Sequence, residues 1–256
     1  MSIRQPRFSG RIPDNHPWHY VVVRGDRLPT ANSTDLRLAP RYVSVARIGK
    51  IPVWGPKKKD VVRGFRPGED CSGNFMSYRY QPNNNCYNYA CNIATNSFAQ
   101  PGRRHGLRLP QKGKTLRAED LIEGAKKDGL KFVGNGSLAQ TLKSPIYRNG
   151  LAKGGHLVAL LFSPARSIIR WKGDFHWVRC DHPSGRRWSQ KDGPDQLTNF
   201  DFYGDLIVDP SKASWTVNLG PPMPYWGYKS EKMKARLVTY HFVAWMFVPC
   251  KRVSII

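Results

Sequence analysis

Cys86 follows three asparagines in "PNNNCYNYACNIA" (residues 82–94) and opens an apolar segment with helical spacing. A thiol attacks only as thiolate, and the unpaired amides and dipole at a helix N-terminus stabilise that anion. Acyl transfer then needs a base that takes the thiol proton and returns one to the leaving amine, a task suited to histidine. His176 in "GDFHWVR" lies on a strand-like run in which Asp174, His176 and Val178 share one face. Gln190 in "RWSQK" falls on the next strand, beyond a hairpin, where it can orient the second ring nitrogen. The oxyanion donors of such a site would be the Cys86 amide and the side-chain amide of Gln81 or Asn85.

Each of these residues also has a plain reading. Free cysteine is among the most buried residue types, and a strand histidine is more often a core residue than a catalyst. Gln190 alone signifies nothing. The ordered set, a cysteine at a helix start, then a strand histidine, then an amide on the adjoining strand, is what carries the chemistry. His156, which opens "HLVALLF", reads as structural or cleft-lining, with the general base as its alternative role.

Elements must position these residues. Cys86, Tyr89, Ala90, Ile93, Ala94, Ser97 and Phe98 recur at three and four residue intervals, predicting one buried helix face that ends at Pro101-Gly102. A second helix is expected over 116–128, with Thr115 as N-cap, Leu121, Ile122 and Ala125 inward, and Gly129 closing its C-terminus. Strand-like runs follow at 156–162, 175–181, 187–190 and 239–248, with hairpin chemistry in "HPSGR". Helices followed by a meander of strands predict an α+β fold, helices packed on an antiparallel sheet. Residues 1–70, rich in Pro, Gly and Arg with short β-like runs, read as a basic, irregular or β-rich N-terminal region, and 71–256 as the main domain. "KGKT" at 112–115 is not a phosphate loop, because position 108 is Arg where that motif needs Gly.

The net charge of +23 is spread as +8, +9 and +6 over residues 1–70, 71–156 and 157–256, so it is not a detachable tail. It implies contacts with anionic polymers, against the plain reading of solvated surface charge. Five cysteines without framework spacing argue against a disulfide scaffold and leave at least one free thiol. No CxxC and no metal-spaced histidine pair occur, so a structural zinc site is not expected, and the cysteine-based acyl transfer read above calls for no metal or organic cofactor. The apolar runs fall short of the roughly 20 residues of a membrane-spanning helix, and the N-terminus lacks the apolar core of a Sec signal. The expectation is a soluble chain, cytoplasmic or exported by another route.

In context, "NCYNYA" (85–90), "GHLVAL" (155–160), "FHWVR" (175–179) and "WSQKDG" (188–193) resemble the papain-like cysteine peptidases, in particular the NlpC-type amidase branch and bacterial toxin-like relatives. The resemblance spans about residues 80 to 250, and its first and third motifs are the more specific. It implies a papain-like fold with Cys86 as nucleophile, His176 as general base and position 190 as third member. Two positions depart from the pattern: Gln190 stands where His is expected, which makes Asp174 the reserve orienter, and Val178 stands for Tyr. The implied activity is amide hydrolysis through an acyl-enzyme by a peptidoglycan amidase, an endopeptidase or a bacterial effector toxin. A protease or acyl transferase acting on proteins is the variant reading. The partners so implied are a peptide or cell-wall substrate and a cognate inhibitor or immunity protein. A reading from another class is a non-enzymatic basic module for nucleic acid or another polyanion, with Arg, Lys and aromatics interleaved.

Overall fold

The computed structural model describes residues 41–45, 49–53, 75, 83–111, 113–193, 197–198, 201–203, 207–218 and 237–256. Gln81, Cys71, the lysine cluster at 56–60 and the Pro-aromatic stretch at 220–228 lie outside the described residues. Strands β1 (Arg41–Val45) and β2 (Gly49–Val53) form an antiparallel hairpin. Helices α1 (Cys86–Cys91) and α2 (Ala118–Lys127) follow, then β3 (Lys131–Gly134) and helices α3 (Leu138–Lys143) and α4 (Pro145–Leu151). Strands β4 (His156–Ser163), β5 (Asp174–Cys180), β6 (Trp188–Lys191), β7 (Leu197–Thr198), β8 (Thr216–Asn218), β9 (Leu237–Thr239) and β10 (His241–Val248) complete the order.

Six strands build one antiparallel sheet in the order β3-β10-β4-β5-β6-β7, and β8 pairs with β9 separately. The fold is α+β, helices with an antiparallel sheet, as the order of patterns predicts. "HLVALLF" is apolar at successive positions because both faces of β4 are covered. Leu157, Ala159 and Leu161 join one core with Val178, Trp188, Trp245, Phe247 and Tyr147 of α4. Val158 and Leu160 join another, with Phe175, Trp177, Met246 and the residues of α1 and α2. The sheet is therefore the middle layer between two cores, and α1 packs against β5 and β6.

Three sequence expectations need correction. The helix foreseen from Cys86 to Phe98 stops at Cys91, because Asn92 takes the left-handed conformation (φ 57°) and its N–H closes onto the carbonyls of Asn88 and Tyr89. Side-chain amides then outcompete helical bonding in the next segment. Asn88 donates to Ile93 O and Thr95 Oγ1, Asn84 accepts from Asn96 N, and Asn85 donates to Ala99 O. The second helix begins at Ala118, so Thr115 is not its N-cap; Arg117 holds that place and pairs with Asp120 through the solvent-facing fork of its guanidinium. The helices α3 and α4 and the edge strand β3 were not foreseen.

A close approach explains Gly155. A Cβ there would lie 2.3 Å from the Phe247 ring and 2.5 Å from Val248 O. The Gly155→Ala variant is therefore expected to lose about 2 kcal/mol of stability, read as a lower urea midpoint with an unchanged m-value.

Candidate functional site

The last six residues of the run "NNNCYNYAC", Cys86–Cys91, form helix α1, with every one of the six buried. Its start is a capping box: Asn85 Oδ1 accepts from Tyr87 N and Asn88 N at 3.1 Å each, and Asn88 Oδ1 accepts from Asn85 N at 3.1 Å. Two of the first-turn amides that would stabilise a thiolate, those of Tyr87 and Asn88, are thus taken by the Asn85 side chain, whose own NH2 donates to Ala99 O at 2.9 Å. Asn85 is a cap that ties the following loop to the helix. A helix this short also sums few peptide dipoles.

The Cys86 thiol is 5% exposed, and its hydrogen bond goes to the Phe175 carbonyl at 4.0 Å. Burial, reinforced by the nearby Asp174 carboxylate, pushes its pKa well above the ordinary thiol range. An activated nucleophile needs the opposite shift. Burial likewise pushes the Cys91 thiol up and the Cys180 thiol to about 12. Cys86, Cys91, Cys180 and the exposed Cys250 are all free thiols.

Register places the other residues. Leu161 faces His176 across β4 and β5, and Val178 faces Gln190 across β5 and β6, so His176 and Gln190 meet on a diagonal of one sheet face. The His176 Nε2–H donates to Gln190 Oε1 at 2.6 Å, with both residues buried. The imidazole lies among Phe202, Trp215 and Tyr240, at ring distances of 5.4, 5.8 and 6.3 Å. Strand alternation puts Phe175 and Trp177 on the opposite face, in the core that holds Cys86. The structure therefore brings His176 and Gln190 together, while the thiol proton is directed to a main-chain carbonyl. Asp174 accepts from Phe175 N at 2.8 Å and from Tyr240 OH at 2.9 Å, which makes it a strand-end brace. His156 Nε2–H donates to Ala90 O at 2.7 Å and so secures the end of α1 to β4.

Two groups that sequence reasoning missed hold this region. Arg179 lies with its guanidinium carbon 4.1 Å from the Tyr89 ring centroid, donates to Asp181 Oδ1 at 2.8 Å and reaches Asn92 Oδ1 at 3.3 Å, so it fastens α1 to the sheet. Tyr89 OH adds a 2.6 Å bond with Ser189 Oγ. Asp128, just after α2, accepts from Tyr87 OH at 2.8 Å and from Gly102 N at 2.7 Å. The "HWVR" motif contained Arg179, and its alternation with Trp177 was the available signal; nothing near Asp128 marked its partners. Among the described residues no group of three or more His, Cys, Asp or Glu is placed to hold a metal ion, and no helix is long and apolar enough to cross a membrane.

The chain is similar to insoluble matrix shell protein 1 of Ruditapes philippinarum, with 32% identity over 157 residues that cover 61% of this chain and 85% of that protein. It belongs to the family of that shell matrix protein. No family model and no solved structure matches the chain. Membership in the shell matrix family overturns the expected activity: the relative is an insoluble matrix protein of a shell, which points away from a cysteine hydrolase. The expectations of a cysteine hydrolase, whether peptidoglycan amidase, endopeptidase, thiol protease or acyl transferase, and of a bacterial toxin or effector are corrected accordingly. The buried, capped surroundings of Cys86 are the physical counterpart of that correction.

Proposed function

We propose that the chain is a structural, non-enzymatic protein of an insoluble matrix. The observation that carries this reading is the 32% identity to insoluble matrix shell protein 1, extending over 85% of that protein. Two features of the chain support it. The hydrogen bonds of the cysteine helix are spent on holding its own loop and the sheet, and a net charge of +23 favours retention among acidic polymers. The order of a short helix opening on Cys86, laid against an antiparallel meander, supports reading the scaffold as papain-like in layout and used here as a structural unit.

Sequential extraction of the source tissue tests the function. An antibody against the folded chain is expected to find it in the residue left after salt and mild detergent. Recovery of nearly all the chain in the first low-salt extract would overturn the matrix role.

A further inference from the structure

Residues 71–118 contain seven Lys or Arg and no Asp or Glu. Within them, "PGRRHGLRLP" makes a tight, ordered turn. Gly102 (φ 75°) and Gly106 (φ 81°) bracket a 3-10 helix, Arg103–His105, in left-handed backbone that favours glycine. Main-chain bonds run from Arg103 N to Gln100 O, from Gly106 N to Arg103 O and from Leu107 N to Gly102 O, each at 3.0 Å. The turn is fastened to the body at three more places. Gly102 N donates to buried Asp128, Gln100 N donates to Ile256 O, and Pro101 sits so close to α2 that a Cβ on Gly124 would lie 2.6 Å from Pro101 O.

This rigid turn walls a cleft of about 530 Å³ lined by Gln100, Arg103, Gly106, Leu107, Arg108 and Leu109. Arg103 and Arg108 are exposed, and Leu107 and Leu109 are half-buried. Arg103 is held in orientation by Ser97 O and Phe98 O, at 3.4 and 3.2 Å, while Arg104 and Arg108 make no ion pair among the described residues. Downstream, Asp120 is already held by Arg117 at 2.8 Å, and the Asp128 carboxylate faces His105 of the turn at 3.6 Å rather than either cleft arginine. The cleft thus combines guanidinium groups, which match carboxylates in a planar two-bond fork, with aliphatic walls.

We propose that this cleft binds acidic polypeptide segments, with carboxylates on Arg103 and Arg108 and aliphatic side chains against Leu107 and Leu109. The leucine walls favour a peptide over a hydrated sulfated glycan, which offers anions but little aliphatic surface. A rigid turn also loses little conformational entropy on binding. The inference rests on the matrix reading for its setting. Its test reads binding and not insolubility, so either can fail alone.

The test is fluorescence anisotropy of a fluorescein-labelled peptide of alternating Glu and Leu, titrated with the full chain near physiological salt. Arg103→Gln with Arg108→Gln is expected to weaken binding about tenfold. Lys143→Gln with Lys153→Gln, which removes the same charge from exposed sites elsewhere, should change it by less than about twofold. Thermal melts of both variants establish that they are folded. Absence of binding by the wild type, equal losses in the two variants, or a lower dissociation constant for chondroitin sulfate than for the peptide would each overturn the proposal.

Discussion

Asp128→Ala is expected to destabilise the chain by about 3 kcal/mol, because two buried donors lose their acceptor together. Asp128 is 2% exposed, and its Oδ2 serves Tyr87 of α1 and Gly102 of the basic turn, while its main-chain carbonyl accepts from Ser254 N. One residue thus joins α1, the turn and the C-terminal segment. Among the described residues its Oδ1 makes no hydrogen bond, and it faces His105 Nε2 at 3.6 Å. Burial raises the Asp128 pKa, and the Gly102 amide, the Tyr87 hydroxyl and His105 only partly oppose it. A carboxyl whose folded pKa is raised binds its proton more tightly in the folded state. Its contribution is therefore complete below the unfolded value of about 3.9 and declines as pH rises through the raised folded value. The stability gap between wild type and Asp128→Ala should be widest in acid, narrow through that window and level off above it. Urea titrations at several pH values measure this directly.

Trp177→Ala is expected to cost about 4 kcal/mol, the range found for removing a large aromatic from a packed core. Trp177 is fully buried, with its ring 5.2 Å from that of Tyr87, and it belongs to the core that includes Cys86, Leu160 and Met246. The conservative change separates volume from polarity. The Trp177 Nε1–H is buried without a hydrogen-bond partner among the described residues, so Trp177→Phe removes an uncompensated donor along with some volume and should cost less than about 1.5 kcal/mol. Trp245 offers the contrast, because its Nε1–H donates to Gly136 O at 2.8 Å, so Trp245→Phe loses a made hydrogen bond as well as volume. Trp245→Phe should therefore be the more damaging of the two, as chemical denaturation will show.

The layered arrangement was legible where periodicity was strong. The runs now seen as β4, β5, β6 and β10 stood out because their residues alternate or stay apolar through a sheet covered on both faces. The first helix was misread in length because its apolar spacing continues past Cys91, whereas the chain obeys the amides of Asn84, Asn85 and Asn88. Two short helices went unseen although their caps were written out: Ser137 with Gln140 is a capping box, and Ser144 precedes Pro145 at the first helical position. At the site, the pairing of His176 with Gln190 follows from strand order and hairpin register, which a sequence displays. The state of Cys86 does not follow. Whether a helix-start thiol is bared or closed depends on the Asn85 cap, the Phe175 carbonyl and the core around them, and these are long-range facts of packing.

The most direct measurement of the central claim, a structural protein with a closed thiol, is iodoacetamide labelling of the native chain at neutral pH, read by peptide mass spectrometry. Reactivity follows exposure and thiolate fraction. Exposed Cys250 should label in the native state, and Cys86 should stay unmodified until denaturant is added. Selective modification of Cys86 in the folded chain, ahead of Cys250, would contradict the account.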